Sequence, residues 1–182
     1  MKLLFLQGKG GVGKSTLAFL FALTLQKAGR AVGIRDLDPQ KSLTAWLTDT
    51  DGFDLQTDGD IVIIDSPPRI DDPLVIAAIC EADRILIPTT PSPAELATLR
   101  HSAGVVANNL KAGARALVVF NRVKKATTYG KNLESLAASL PLQAAKNSIS
   151  DREVYKHVLL DGWSALDGPA KEEIMNLALE IQ

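Results

Sequence analysis

Residues 8–16 read Gly8-Lys9-Gly10-Gly11-Val12-Gly13-Lys14-Ser15-Thr16. They satisfy the pattern G-x-x-x-x-G-K-[ST], with Gly8 and Gly13 as its glycines. Glycines let the main chain turn and bring its N–H groups within reach of an anion's oxygens. A helix starting near Lys14 adds the positive end of its dipole to the same place. Lys14 supplies a point charge for β- and γ-phosphates, and the Ser15 hydroxyl is placed to bind Mg²⁺. Gly10, Gly11, Val12, Gly13, Lys14, Ser15 and Thr16 are therefore candidates to hold the phosphates of ATP. The flanks agree: an apolar run at 2–6 reads as a strand, and 14–28 reads as a helix.

Outward from this loop, short β-type runs alternate with helical patterns. Strands are expected at 2–6, 31–35, 61–65, 84–88 and 116–121, with a weaker one at 142–144. Helices are expected at 14–28, 42–47, 74–81, 93–112, 130–140, 150–160 and 169–181, with Gly29 and Gly113 placed as helix stops. The middle strands are nearly continuous apolar runs, as in strands covered on both faces. The alternation predicts an α/β fold of the P-loop NTPase kind: a mostly parallel, twisted sheet flanked by helices on both faces. With no repeat and no long linker, residues 1–182 are expected to form a single P-loop ATPase domain. The polar segment 48–60, with its five aspartates, reads as a surface connection holding a short edge strand at 53–56.

Composition narrows the function. Hydrophobic residues are 46% and charged residues 23%, the balance of a soluble globular protein. Aromatics at 5% argue against a base-stacking platform. Cys80 is the only cysteine, which excludes an intrachain disulfide and a self-contained cysteine metal site and fits a reducing cytoplasm. The apolar run 3–6 is too short for a signal peptide. The apolar stretch 17–25 is far short of a membrane span and reads as a helix buried on most sides.

Two acidic motifs follow the loop. Residues 31–40 form a strand running into Asp36-Leu37-Asp38-Pro39-Gln40, where two aspartates two apart can face one side. Residues 61–68 are four apolar residues, then Asp65-Ser66-Pro67-Pro68, the form of a strand delivering a carboxylate to a metal. Together with Lys9, a second lysine not needed to hold phosphate in one chain, these residues resemble the deviant Walker A motif and its companions in the ParA/MinD/Soj ATPases. That resemblance implies a nucleotide-sandwich homodimer formed with ATP, in which Lys9 reaches the partner's phosphates. It implies that Asp38 positions or activates the attacking water, that Asp36 supports the metal site, and that Asp65 binds Mg²⁺ through water. It places an adenine-reading amide at Asn121, next to Arg122. Arg35 stands where apolar residues are commoner in the family.

The formal net charge is −1, yet residues 96–133 hold seven basic residues and no acid. Among these, Arg115, Lys124, Lys125 and Lys131 are candidates for salt-dependent contact with nonspecific DNA. The expected function is a dimerising switch of ParA type, cytoplasmic and nucleoid-associated, with a centromere-binding or adaptor protein stimulating hydrolysis to position cargo. A MinD-like membrane switch is disfavoured because 170–182 sets Lys171 against Glu172, Glu173 and Glu180. A metabolic ATPase of the same fold is the remaining alternative.

Overall fold

The computed structural model describes residues 1–181. Five strands, β1 (Lys2–Phe5), β2 (Val32–Asp36), β3 (Ile61–Asp65), β4 (Arg84–Thr89) and β5 (Arg115–Phe120), form one sheet in the order β2-β3-β1-β4-β5. Every neighbouring pair is parallel. The helices are α1 (Lys14–Lys27), α2 (Ser42–Thr48), α3 (Pro73–Glu81), α4 (Pro93–Asn109), α5 (Thr128–Lys131), α6 (Leu133–Ala138), α7 (Val154–Asp161) and α8 (Gly168–Ile181).

Successive strand residues point to opposite faces, and the core divides accordingly. Leu3, Phe5, Ile34, Ile63, Leu86 and Val119 pack under α1, α2, α7 and α8. Leu4, Leu6, Ile64, Ile85, Ile87 and Val118 pack under α3 and α4. Helix α1 is enclosed nearly all round, with residues 17–25 buried without a break. Arg35 is tolerated because β2 is an edge strand: its guanidinium leaves the sheet to pair with Glu81 at the end of α3. Among the described residues no helix is long and apolar enough to cross a membrane.

Several expected elements are shorter than their patterns. Residues 142–144 make one bridge to Val118 and not a strand, because only Gln143 and Ala145 bond to it. The expected edge strand at 53–56 is likewise a single bridge, Gly33 to Gln56. The helix expected at 130–140 is broken at Asn132 into α5 and α6. Helix α7 starts at Val154 and not at 150, since Ser150 is engaged with Val123 at the end of β5.

Candidate functional site

The site lies at the C-terminal ends of β1 and β3, adjacent strands whose following helices pack on opposite faces. Doubly wound sheets open a crevice at that point. The loop after β1 turns through Gly11 (φ 83) and Gly13 (φ 86), a left-handed backbone that side chains resist. At Gly13 a Cβ would also meet Asn121 Nδ2 at 2.5 Å. Helix α1 then begins at Lys14 with no side-chain cap, which leaves its first N–H groups for an anion.

Lys14 Nζ pairs with Asp65 Oδ1 and lies 3.3 Å from Ser15 Oγ. The two charged side chains are 9% and 1% exposed. Burial pushes the Asp65 carboxyl pKa upward against the pull of Lys14 and Ser15, and Asp36 adds to the rise. Asp65 Oδ2 is buried without a hydrogen-bond partner. An unsatisfied carboxylate oxygen beside a serine hydroxyl is the hard-oxygen donor set that Mg²⁺ favours. Lys14, held by one carboxylate, can turn to a phosphate in its place.

The two aspartates after β2 part company. Asp36 is buried, and both its oxygens serve the local turn. Oδ1 accepts from Asp38 N at 3.1 Å, while Oδ2 accepts from Thr44 N at 3.1 Å and Thr44 Oγ1 at 3.3 Å. It therefore clamps α2 to the sheet, and it also lies close enough to Asp65 to act on that carboxyl. Asp38 is half-buried, accepts from Gln40 N at 2.9 Å, and lines the mouth of the loop with Lys9, Trp46 and Pro68. Lys9 Nζ lies 2.6 Å from Glu95 Oε1.

Asn121 and Arg122 strap the loop to the end of β5. Asn121 Nδ2 donates to Val12 O at 2.8 Å, and Arg122 Nη1 donates to Gly11 O at 3.0 Å. The family resemblance implies a base contact for Asn121; the bracing of the loop is a further role. Beside it opens a cleft lined by Thr16, Leu20, Asn121, Arg152 and Tyr155. Its far wall hangs on Glu173 of α8, which accepts from Ser150 N at 3.0 Å, Ser150 Oγ at 2.7 Å, Arg152 Nη2 at 3.0 Å and the Tyr155 hydroxyl at 2.9 Å. Burial works against the Glu173 carboxylate, but these donors outweigh it and hold its pKa below the usual range. Burial, with Glu173 alongside, pushes the Tyr155 hydroxyl up.

Gln7 and Glu173 are absent from the residues expected at the site. Gln7 is 1% exposed. It donates to Pro88 O at 3.1 Å and accepts from Gly8 N at 2.8 Å and Ser102 Oγ at 3.0 Å. A polar residue closing an apolar strand run was its one signal. Glu173 had none, because its partners lie about 20 residues away and only the packing of α8 unites them.

The basic sector is not one surface. Arg115 opens β5, whereas Lys124, Lys125 and Lys131 follow its other end. At about 3.3 Å per residue, six residues of strand separate them by roughly 20 Å. Lys111, at the Arg115 end, is paired with Asp83 at 2.6 Å. Lys124, Lys125 and Lys131 are exposed, and Lys124 lies 3.5 Å from Asp151 at the cleft.

Comparison with known proteins bears on the family and the fold. Residues 3–160 match the model of the family described as CbiA, the CobQ/CobB/MinD/ParA nucleotide binding domain. The chain is 26% identical to the maintenance of carboxysome distribution protein A of Halothiobacillus neapolitanus, over 95% of this chain and 92% of that protein. It is 32% identical to the ParA protein of Rhizobium radiobacter, over 65% of this chain and 63% of that one. Its fold is that of a plasmid partition protein from Borrelia burgdorferi solved with AMPPNP, with a TM-score of 0.78, 19% identity, and 98% and 97% of the two chains covered. With a glycine loop, a buried lysine–aspartate pair and an all-parallel sheet in these positions, the chain belongs to the CobQ/CobB/MinD/ParA nucleotide-binding domain family.

Proposed function

We propose that the chain is an ATP-dependent switch of ParA type that dimerises with ATP and hydrolyses it to position cargo. The observation that carries this reading is the unequal placement of its two loop lysines. Lys14 is buried beneath the loop, where it serves its own nucleotide, while Lys9 stands 43% exposed at the mouth, where a second chain would approach. Ser15 and Asp65 are the residues that would hold Mg²⁺, which would neutralise charge between the phosphates. The N–H groups of residues 10–16 hold the phosphates, and Lys14 leaves Asp65 for them. Asp38, at the mouth, orients the attacking water. Asn121 keeps a second amide hydrogen beyond its bond to Val12, with which it can meet the base edge.

Turnover is slow without a stimulating protein. The arginines beside the cleft are already engaged, Arg122 with Gly11 O and Arg152 with Glu173, so neither is aimed at a γ-phosphate. The exposure of Lys124, Lys125 and Lys131 supports a surface for nonspecific DNA, with Arg115 outside it, and such a surface would hold the switch on the nucleoid in the cytoplasm. Against a membrane role, α8 turns Ala170, Ile174, Leu177, Ala178 and Ile181 into the core, and among its described residues the large apolar side chains left exposed are Met175 and Leu179, set among Glu172, Glu173 and Glu180. The name of the carboxysome distribution relative is compatible with a cargo other than a plasmid.

Sedimentation velocity tests the reading. A dimer is expected with Mg·ATP, more completely with Asp38→Ala, and a monomer with ADP or no nucleotide. One unchanged monomer in all conditions would overturn it.

A further inference from the structure

We propose that Glu95 is a positioning residue for Lys9, holding the amine on its own chain until a second chain's phosphate takes it. The proposal rests on the reading above, in which Lys9 serves the partner's nucleotide. Glu95 sits in the first turn of α4, where the helix start favours an acid. It cannot follow Lys9 outward. Glu95, Leu99 and Ser102 share one face of α4; Leu99 and Ser102 are fully buried, and Ser102 is bonded to Gln7 at the root of the phosphate loop. Lys9 is the mobile partner, a charged head on a flexible four-carbon stem.

The pair is lopsided in burial. The Glu95 side chain is 12% exposed and that of Lys9 43%. Glu95 Oε2 is buried without a hydrogen-bond partner, so among the described residues the carboxylate depends on Lys9 as its cationic partner. Drawing Lys9 away leaves a mostly buried acid uncompensated, which opposes closure of a dimer. A phosphate, doubly charged and held by the other chain's loop, is a strong enough competitor to take the amine. A chain without nucleotide offers no such competitor. Glu95 therefore biases the switch towards the monomer until ATP is present on both sides.

Glu95→Gln keeps the shape and removes the charge. Acylation of Lys9 by an N-hydroxysuccinimide ester, read by mass spectrometry with Lys125 as internal reference, should become roughly two- to fivefold faster, the range for a partly exposed ion pair. The Mg·ATP dimer should form at a protein concentration lower by about the same factor, with the ATP affinity of the monomer unchanged. Glu95→Asp, which keeps the charge but shortens the reach, should fall between the two in both measurements. Unchanged Lys9 labelling overturns the proposal. Faster labelling with an unchanged or weakened dimer also overturns it and leaves the switch reading intact. A wild-type chain that stays monomeric with Mg·ATP overturns both.

Discussion

The Lys14–Asp65 pair invites a double-mutant cycle on the nucleotide-free protein. Both charges are almost wholly removed from water, and Asp65 Oδ2 has no partner to offset its burial. In Asp65→Asn the amide can still accept from Lys14, but the ammonium keeps its desolvation cost without an opposing charge. Breaking a buried pair from one side costs about 3–5 kcal/mol. Because Ser15 Oγ remains 3.3 Å from Lys14 Nζ and burial already works against the Asp65 charge, the loss for Asp65→Asn is at most the low end, about 3 kcal/mol, with about 3 kcal/mol for Lys14→Met. In a chain of this length about 3 kcal/mol lowers Tm by roughly 6–12 °C. The double variant removes both charges, and replacing a whole buried pair is often neutral or stabilising. It should therefore be at least as stable as the better single variant, whereas independent effects would add to about 6 kcal/mol. Urea unfolding at pH 7 without nucleotide, with m-values compared, measures all four corners. An additive double variant would refute the claim that these charges are buried against each other.

Other consequences can be checked more briefly. Gly13→Ala forces a Cβ into the left-handed region and to within 2.5 Å of Asn121 Nδ2; a loss of about 1–3 kcal/mol together with loss of ATP binding by calorimetry is expected, and a variant binding ATP normally would contradict the loop geometry. Glu173, Glu180, Glu81 and Asp83 all have folded pKa values held below their ordinary ones. Each therefore contributes stability that is present above its unfolded pKa, near 4, and is lost as pH falls through the folded value. Glu173→Gln should be less stable at pH 7 and should show a shallower loss on acidification; an unchanged acid profile would count against the Glu173 cluster. Replacing Lys124 and Lys125 by alanine should weaken nonspecific DNA binding and reduce the slope of log K against log salt by about 0.9 per lost phosphate contact, while Arg115→Ala leaves it unchanged. Equal effects at Arg115 and Lys124 would mean that the DNA path runs differently.

Much of the site was legible because its chemistry is local in sequence. Residues 8–16 carry their own turn glycines, anion-binding amides and helix start, so their arrangement needs no distant partner. The strands at 2–6, 61–65 and 84–88 were readable from apolar runs alone, since burial on both faces leaves little room for polar residues. Asp36 has a structural role that Asp-x-Asp on an extended segment does not reveal. The backbone leaves the strand at Leu37, and Thr44 captures the first carboxylate. The run of basic residues hides its own division for a related reason, as β5 runs the length of the sheet between Arg115 and Lys124.

The phosphate loop, the parallel α/β alternation and the order in which Lys14, Asp38, Asp65 and Asn121 arrive at one edge of the sheet are all written locally in the chain. Short-range turn chemistry and strand periodicity are enough for that, because a parallel sheet delivers every strand's C-terminal end to the same side. What each side chain touches there depends on long-range packing: Lys14 on Asp65, Asn121 on Val12, Glu173 beneath the cleft wall, and Lys9 on Glu95. These contacts join residues from about 20 to more than 100 positions apart. Packing of α4 and α8 against the sheet, which leaves no local mark in the chain, brings the acids of the last two within reach.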